Sequence, residues 1–103
     1  AMRGQMDAAI AGFETALRIH PEYLEARENL GGALAAGGRY DEAAAMFQQA
    51  IAQSPEDPAT RVLLARVHLA RGDAPAARAE IEAALRLAPE HPEAKAIQAS
   101  LPD

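Results

Sequence analysis

Apolar positions in this chain of 103 residues return every three or four residues, and glycine or proline interrupts them at regular places. From Leu24 onward, Arg27, Leu30, Gly31 and Leu34 fall on one face of a helix. Gly37-Gly38 breaks the pattern, and Tyr40, Ala43, Phe47, Ala50 and Ile51 mark a second amphipathic helix. Ser54-Pro55-Glu56-Asp57-Pro58 ends it. Asp57 suits the N-cap of the next helix, where a carboxylate accepts from a free backbone N–H, and Pro58 suits the first turn, where its missing N–H costs nothing. Arg61, Leu64, Ala65 and His68 then share a face, Gly72-Asp73 interrupts, and Ala77, Ile81, Ala84 and Leu85 share another. No stretch alternates with period two or is rich in β-branched residues, so the predicted class is all-α.

The hairpins are copies of one another. Gly4, Gly38 and Gly72 stand 34 residues apart. The same step links Ala9, Ala43 and Ala77; Phe13, Phe47 and Ile81; Ala16, Ala50 and Ala84; Leu17, Ile51 and Leu85; and Pro21, Pro55 and Pro89. A fixed chemical type in every column marks a repeat architecture. Residues 24–57 and 58–91 read as complete two-helix units within a single domain, 1–103. Residues 1–23 read as the second helix of a unit whose first helix is missing, with an abrupt start at Ala1-Met2-Arg3. Residues 92–103 read as a terminal helix opened by Pro92. The expectation is about six helices, cut from a longer array. Gly38 and Gly72 fall where the chain must reverse, and a glycine there takes the left-handed conformation without a Cβ clash. A phosphate-binding loop would need a preceding strand and a Lys-Ser or Lys-Thr pair, which Gly37-Gly38-Arg39-Tyr40 lacks.

With this period, two helices per unit, and Leu30-Gly31, Gly38, Tyr40, Ala43, Phe47, Ala50 and Pro55 in register, the chain resembles the tetratricopeptide repeat family. Leu64-Ala65, Gly72-Asp73, Ala77, Ile81, Ala84 and Pro89 extend the likeness through the next unit. The resemblance implies a right-handed α-solenoid of antiparallel helix hairpins whose concave surface, lined mainly by the first helix of each unit, binds partners. Two columns depart from the family. Arg27 and Arg61 stand where a large aromatic is usual, and Leu34 and His68 where a tyrosine is usual. An arginine can lay its stem on apolar surface and keep its head in water, replacing the aromatic in part.

Composition narrows the function. Half the residues are hydrophobic but only 4% are aromatic, so close-packed small side chains are expected. The net charge of −5 disfavours nucleic acid and anionic membrane, and no apolar stretch reaches the ~20 residues of a membrane span. There is no cysteine, which excludes thiolate chemistry and leaves the compartment open. Alanine- and arginine-rich usage suggests a bacterial source. His20, His68 and His91 lie on different turns and faces without an i, i+4 pair, so no metal site is expected. Glu14, Glu80 and Glu82 fall on solvent faces, with Glu14–Arg18 and Glu82–Arg86 as i, i+4 pairs worth about 0.2–0.5 kcal/mol each. Ser54 and Ser100 have no histidine placed to activate them, and no catalytic residue or cofactor is predicted.

On the concave surface that the resemblance implies, helical spacing gives the residues of the groove. It comprises Glu25, Glu28, Asn29, Gly32 and Ala36 in one unit, and Val62, Leu63, Arg66, Leu69 and Ala70 in the next. Val62 and Leu69 suggest apolar contact with a helix or extended segment. Some members of the family hold an acidic tail with a clamp of Lys, Asn and Arg; here Asn29 matches one column, Leu63 and Glu28 do not, and Arg66 lies a turn away. Met6, Ile10, Phe13 and Leu17 form an apolar face predicted to lack part of its partner and to drive association between chains, at about 1.5–3 kcal/mol for each side chain left exposed. The expected function is a non-catalytic scaffold for a protein or peptide partner. The alternatives are the docking or regulatory arm of an enzyme lying outside these residues, and a self-assembly module forming homo-oligomers through its ends.

Overall fold

Each apolar face in the sequence builds a helix. A computed structural model describes residues 2–102 and places α1 at Met2–Ile19, α2 at Leu24–Ala36, α3 at Tyr40–Gln53, α4 at Pro58–Ala70, α5 at Ala74–Leu87 and α6 at Pro92–Ser100. There is no strand among the described residues, and the start at Ala1 lies outside them. The helices pack mainly on their neighbours in chain order, giving a solenoid of 39 × 29 × 19 Å.

The punctuation has a physical basis at every junction. Gly38 and Gly72 have φ of 80° and 84°. Around the first, the Arg39 N–H donates to the Leu34 carbonyl at 2.8 Å and the Gly38 N–H to the Ala35 carbonyl at 3.0 Å. Around the second, Asp73 and Gly72 donate likewise to His68 and Leu69. These crossed bonds satisfy carbonyls that a helix end leaves free. Gly37 has ordinary helical-side φ but a close neighbour: a Cβ there would lie 2.8 Å from the Met6 Sδ. Asp57 caps α4 by accepting from the Ala59 N–H at 3.0 Å, with Pro58 in the first turn. Asp73 caps α5 through the Ala76 N–H at 3.1 Å. His91 caps α6, its Nδ1 accepting from the Ala94 N–H at 3.3 Å, which gives that loop histidine a structural task.

Two apolar clusters hold the stack together. Ile10, Leu30, Leu34, Ala43, Ala44, Phe47, Leu64 and Val67 form the first, and Val62, Ala65, Ala77, Ile81, Ala84 and Ala94 the second. Ala43, Ala50, Ala77 and Ala84 are wholly buried, so the helices approach at alanine distance. Phe47 is the largest buried side chain, and it packs on Gly31: a Cβ there would sit 2.9 Å from the ring.

Two expectations about side chains need correction. The head of Arg61 is not left in water, and that of Arg27, although at the surface, is bonded to protein. Arg27 donates to the Gln49 Oε1 and to the Pro21 carbonyl, and Arg61 pairs with Glu80 at 3.3 Å, with both members only 22% exposed. Both Nε atoms are buried without a partner. Each arginine therefore takes the space of an aromatic between the two helices of a unit and bonds to the facing helix, which also draws Glu80 off the solvent face. The i, i+4 pairs Glu14–Arg18 and Glu82–Arg86 do not close within 4 Å; exposed pairs gain too little to order two long side chains.

Candidate interaction groove

The first helices of successive units, α2, α4 and α6, present corresponding stripes. On α2 the positions Glu25, Asn29, Gly32 and Ala36 share one line and all are exposed. The corresponding line on α4, 34 residues on, is Ala59, Leu63, Arg66 and Ala70, with Leu63 half-buried and the others exposed. On α6 it is Glu93, Ile97 and Ser100. Between the C-terminal halves of α2 and α4 lies a cleft of about 320 Å³, lined by Gly32, Ala35, Ala36, Tyr40, Phe47, Leu63, Arg66, Val67 and Ala70. The lining is apolar apart from the Arg66 guanidinium and the Tyr40 hydroxyl. Gly32 deepens it, since nothing lies within 4 Å of where its side chain would be.

The charged groups divide unevenly. Arg66 is bonded to Glu93 on α6, spanning neighbouring first helices. The N-terminal half of α2 carries Glu25 and Glu28 beside an open depression of about 590 Å³ that also touches His20, Glu22, Tyr23 and Leu24. Glu28 is held above the ordinary carboxylate range of about 4.5: burial raises it most, the Asp57 charge raises it further, the Thr60 hydroxyl partly offsets this, and Glu25 adds to it. No cation stands within 4 Å of either glutamate among the described residues. The acidic wall is thus a zone of like-charge crowding that folding leaves unrelieved.

The predicted site residues separate into groups. Gly32, Ala36, Leu63, Arg66 and Ala70 come together in the cleft. Glu25, Glu28 and Asn29 lie on the same helix nearer its N-terminus. Val62 is not on the groove surface. It is 2% exposed, on the flank of α4 that Ala94 of α6 and the face of α5 cover, and Leu69 is half-buried against the same cluster. Tyr40, Phe47, Ala35 and Val67 line the cleft unforeseen: the two-glycine turn brings the start of α3 beside the end of α2, and that short connection was the available signal. The apolar face of α1 also changes meaning. Ile10 is 4% exposed, and Met6, Phe13 and Leu17 are half-buried, packed on the first cluster with Leu30 and Leu34 of α2. The less covered flank of α1 is Ala9, Gly12 and Ala16; Ala9 and Gly12 are exposed and Ala16 is half-buried.

A polar cluster lies behind the groove. His68 is buried, and its Nδ1 accepts from the Arg71 Nη2 at 2.9 Å, so the neutral ring carries its proton on Nε2. Arg71 also reaches Asp41 at the start of α3, at 2.7 Å. Among the described residues no three His, Asp or Glu side chains converge on a point that could hold a metal ion, and no helix is long and apolar enough to cross a membrane.

Known proteins share both the sequence pattern and the stack. Two family models described as tetratricopeptide repeat match the sequence, one over residues 34–101 and one over residues 3–58. A search of curated proteins returns no match. Among solved structures, TTC0263 of Thermus thermophilus, a thermophilic protein of the same repeat type, is 30% identical with a TM-score of 0.87; the match covers 95% of this chain and 50% of that one. This chain therefore spans half the length of the Thermus protein. The first repeat domain of Spaghetti (RPAP3), solved bound to the HSP90 peptide SRMEEVD, is 18% identical over 96% of this chain and 79% of that one, with a TM-score of 0.85. The Yersinia enterocolitica type III secretion chaperone SycD, solved with a peptide of the translocator YopD, is 20% identical over 96% and 76%, with a TM-score of 0.80.

Proposed function

This chain belongs to the tetratricopeptide repeat family, and from that premise we propose that it is a non-catalytic interaction scaffold holding a peptide or helical segment of a protein partner along α2, α4 and α6. The observation that carries the reading is the apolar cleft of about 320 Å³ on the stripe shared by α2 and α4. Apart from Arg66, its walls are small, aliphatic and aromatic side chains on packed helices, so it needs little ordering before a ligand enters, and preorganisation favours binding. Similar folds solved with the HSP90 and YopD peptides support a peptide as the class of ligand. The groove offers no nucleophile–base pair, which favours binding without catalysis.

The test is selection of binders from a displayed random-peptide library, followed by competition with variants. Leu63→Arg and Ala70→Arg should each weaken the selected peptides at least about tenfold by blocking the cleft, while Gln48→Arg, on the exposed face of α3, should leave them unchanged. Binders indifferent to both groove substitutions would remove the proposal.

A second reading, self-association, is favoured by one observation. The α1 residues Ala9 and Ala16 occupy columns whose other members, Ala43, Ala77, Ala50 and Ala84, are wholly buried against the first helix of their own unit. In this reading a second copy covers that flank.

A further inference from the structure

We propose that the partner segment pairs an apolar residue with a lysine or arginine, the apolar residue filling the α2–α4 cleft and the cation lying against Glu25 and Glu28. The inference rests on the groove reading above and adds the chemistry of the occupant. The groove stripes of α2, α4 and α6, with Glu28 beside them, carry three carboxylates and one guanidinium. The Arg66 charge is already matched by Glu93, so the guanidinium offers a carboxylate on the ligand no net positive charge. Glu25 and Glu28 have no cation within 4 Å among the described residues, and the Asp57 carboxylate, occupied in capping α4, adds negative charge beside them. A cation arriving there gains two unneutralised partners and relieves their mutual repulsion, whereas an acidic segment meets repulsion along the whole wall.

Spacing sets the pattern. Glu25 and Gly32 are two turns apart on α2, about 10 Å along its axis at 1.5 Å per residue. A polyproline-II segment advances about 3.1 Å per residue with three residues to the turn, so a cation and an apolar side chain three residues apart span about 9 Å and share one face. The cleft takes a side chain of leucine size, since Gly32, Ala36 and Ala70 leave room that larger residues on those helices would fill.

The experiment is a titration of the isotopically labelled chain, followed by amide shifts. The probes are three blocked heptapeptides of glycine and serine that place a lysine, a glutamine or a glutamate three residues before a leucine. The lysine peptide should move the amides of Gly32, Ala36 and Ala70 and bind about fivefold tighter than the glutamine peptide, with the glutamate peptide weakest. Raising salt from about 0.05 to about 0.5 M should erase most of the difference. The Glu25→Gln/Glu28→Gln double variant should bind the lysine and glutamine peptides equally while keeping the leucine contact. Equal binding of all three by the unmodified chain, or tighter binding of the glutamate peptide, overturns the charge inference and leaves the groove reading standing. Groove amides that stay unmoved by all three at millimolar peptide overturn the groove reading and the inference with it.

Discussion

Gly31 and Gly32 are adjacent on α2 and meet opposite surroundings. Gly31 is buried with the Phe47 ring where its side chain would be, and Gly32 faces the open cleft with nothing within 4 Å. One methyl group should therefore act with opposite sign at the two positions. Gly31→Ala pushes a well-packed ring aside and should cost about 1–3 kcal/mol. Gly32→Ala gains helix propensity without a clash and should stabilise by up to about 1 kcal/mol. Urea unfolding of both variants measures this; a Gly31→Ala protein as stable as the parent would mean that Phe47 does not depend on the missing side chain. The Gly32 variant should also shrink the cleft. A glycine retained where alanine would be more stable fits a residue whose space is used.

At the scale of the helix, starts and stops were legible from glycine, proline and aspartate, because capping is a local interaction that neighbouring residues determine. The six helices could be read from the spacing and the repeat, and of the cleft lining Gly32, Ala36, Leu63, Arg66 and Ala70 were among the residues read. What spacing could not give was which neighbour covers each flank. Val62 and Leu69 lie beside the exposed line of α4 at helical spacing, and the packing of α5, with Ala94 of α6, decides that Val62 is buried. Likewise Ile10 is apolar on a helix with two apolar flanks, and the packing of α2 selects one. Arg61 departs from its expected place because a long side chain can go to water or across a helix interface, and its partner Glu80 stands on another helix, outside any local window.

His68 of α4 is bonded to Arg71, which reaches Asp41 of α3, and carries a pH dependence. Burial lowers its pKa from the usual 6.5 most, the Arg71 charge lowers it further, and Glu80 and Asp73 offset part of this. The folded state therefore takes up its proton less readily than the unfolded chain. The stability this contributes is complete above the unfolded value and is lost as pH falls through the lowered folded value. Protonation would also remove the Nδ1 acceptor from Arg71 and set two cations side by side. The urea midpoint should fall between about pH 7 and pH 5 in the parent, with less change over the same range in His68→Gln. Equal slopes in both proteins would assign the loss to other groups. Glu28 works in the opposite sense: with a raised folded pKa, its charge costs stability at neutral pH and the cost fades as the pH drops through that value.

For the whole molecule, the linear stack means that each helix depends on its sequence neighbours, and α1 packs mainly on α2. At the α1 end, Ala9 and Gly12 are exposed, although in the later units the Ala9 column is buried by a first helix. A flank of alanine and glycine lets another helix approach closely but offers little apolar side chain to bury. Association through it should therefore be weak and visible only as a rise in average mass above 10.9 kDa at concentrations of several hundred micromolar or more. Ala9→Arg is the decisive variant. The position is exposed, so the helix keeps its fold and its circular dichroism, while a charge is placed in any contact there. Static light scattering should show a concentration-dependent mass for the parent and a constant one for the variant; a parent that stays at its monomer mass would end the self-association reading. Because the face packed on α2 is a different flank of α1, such pairing would leave the α2–α4 cleft of each copy open. Two linked grooves would then hold a partner carrying two copies of its segment more tightly than either groove alone.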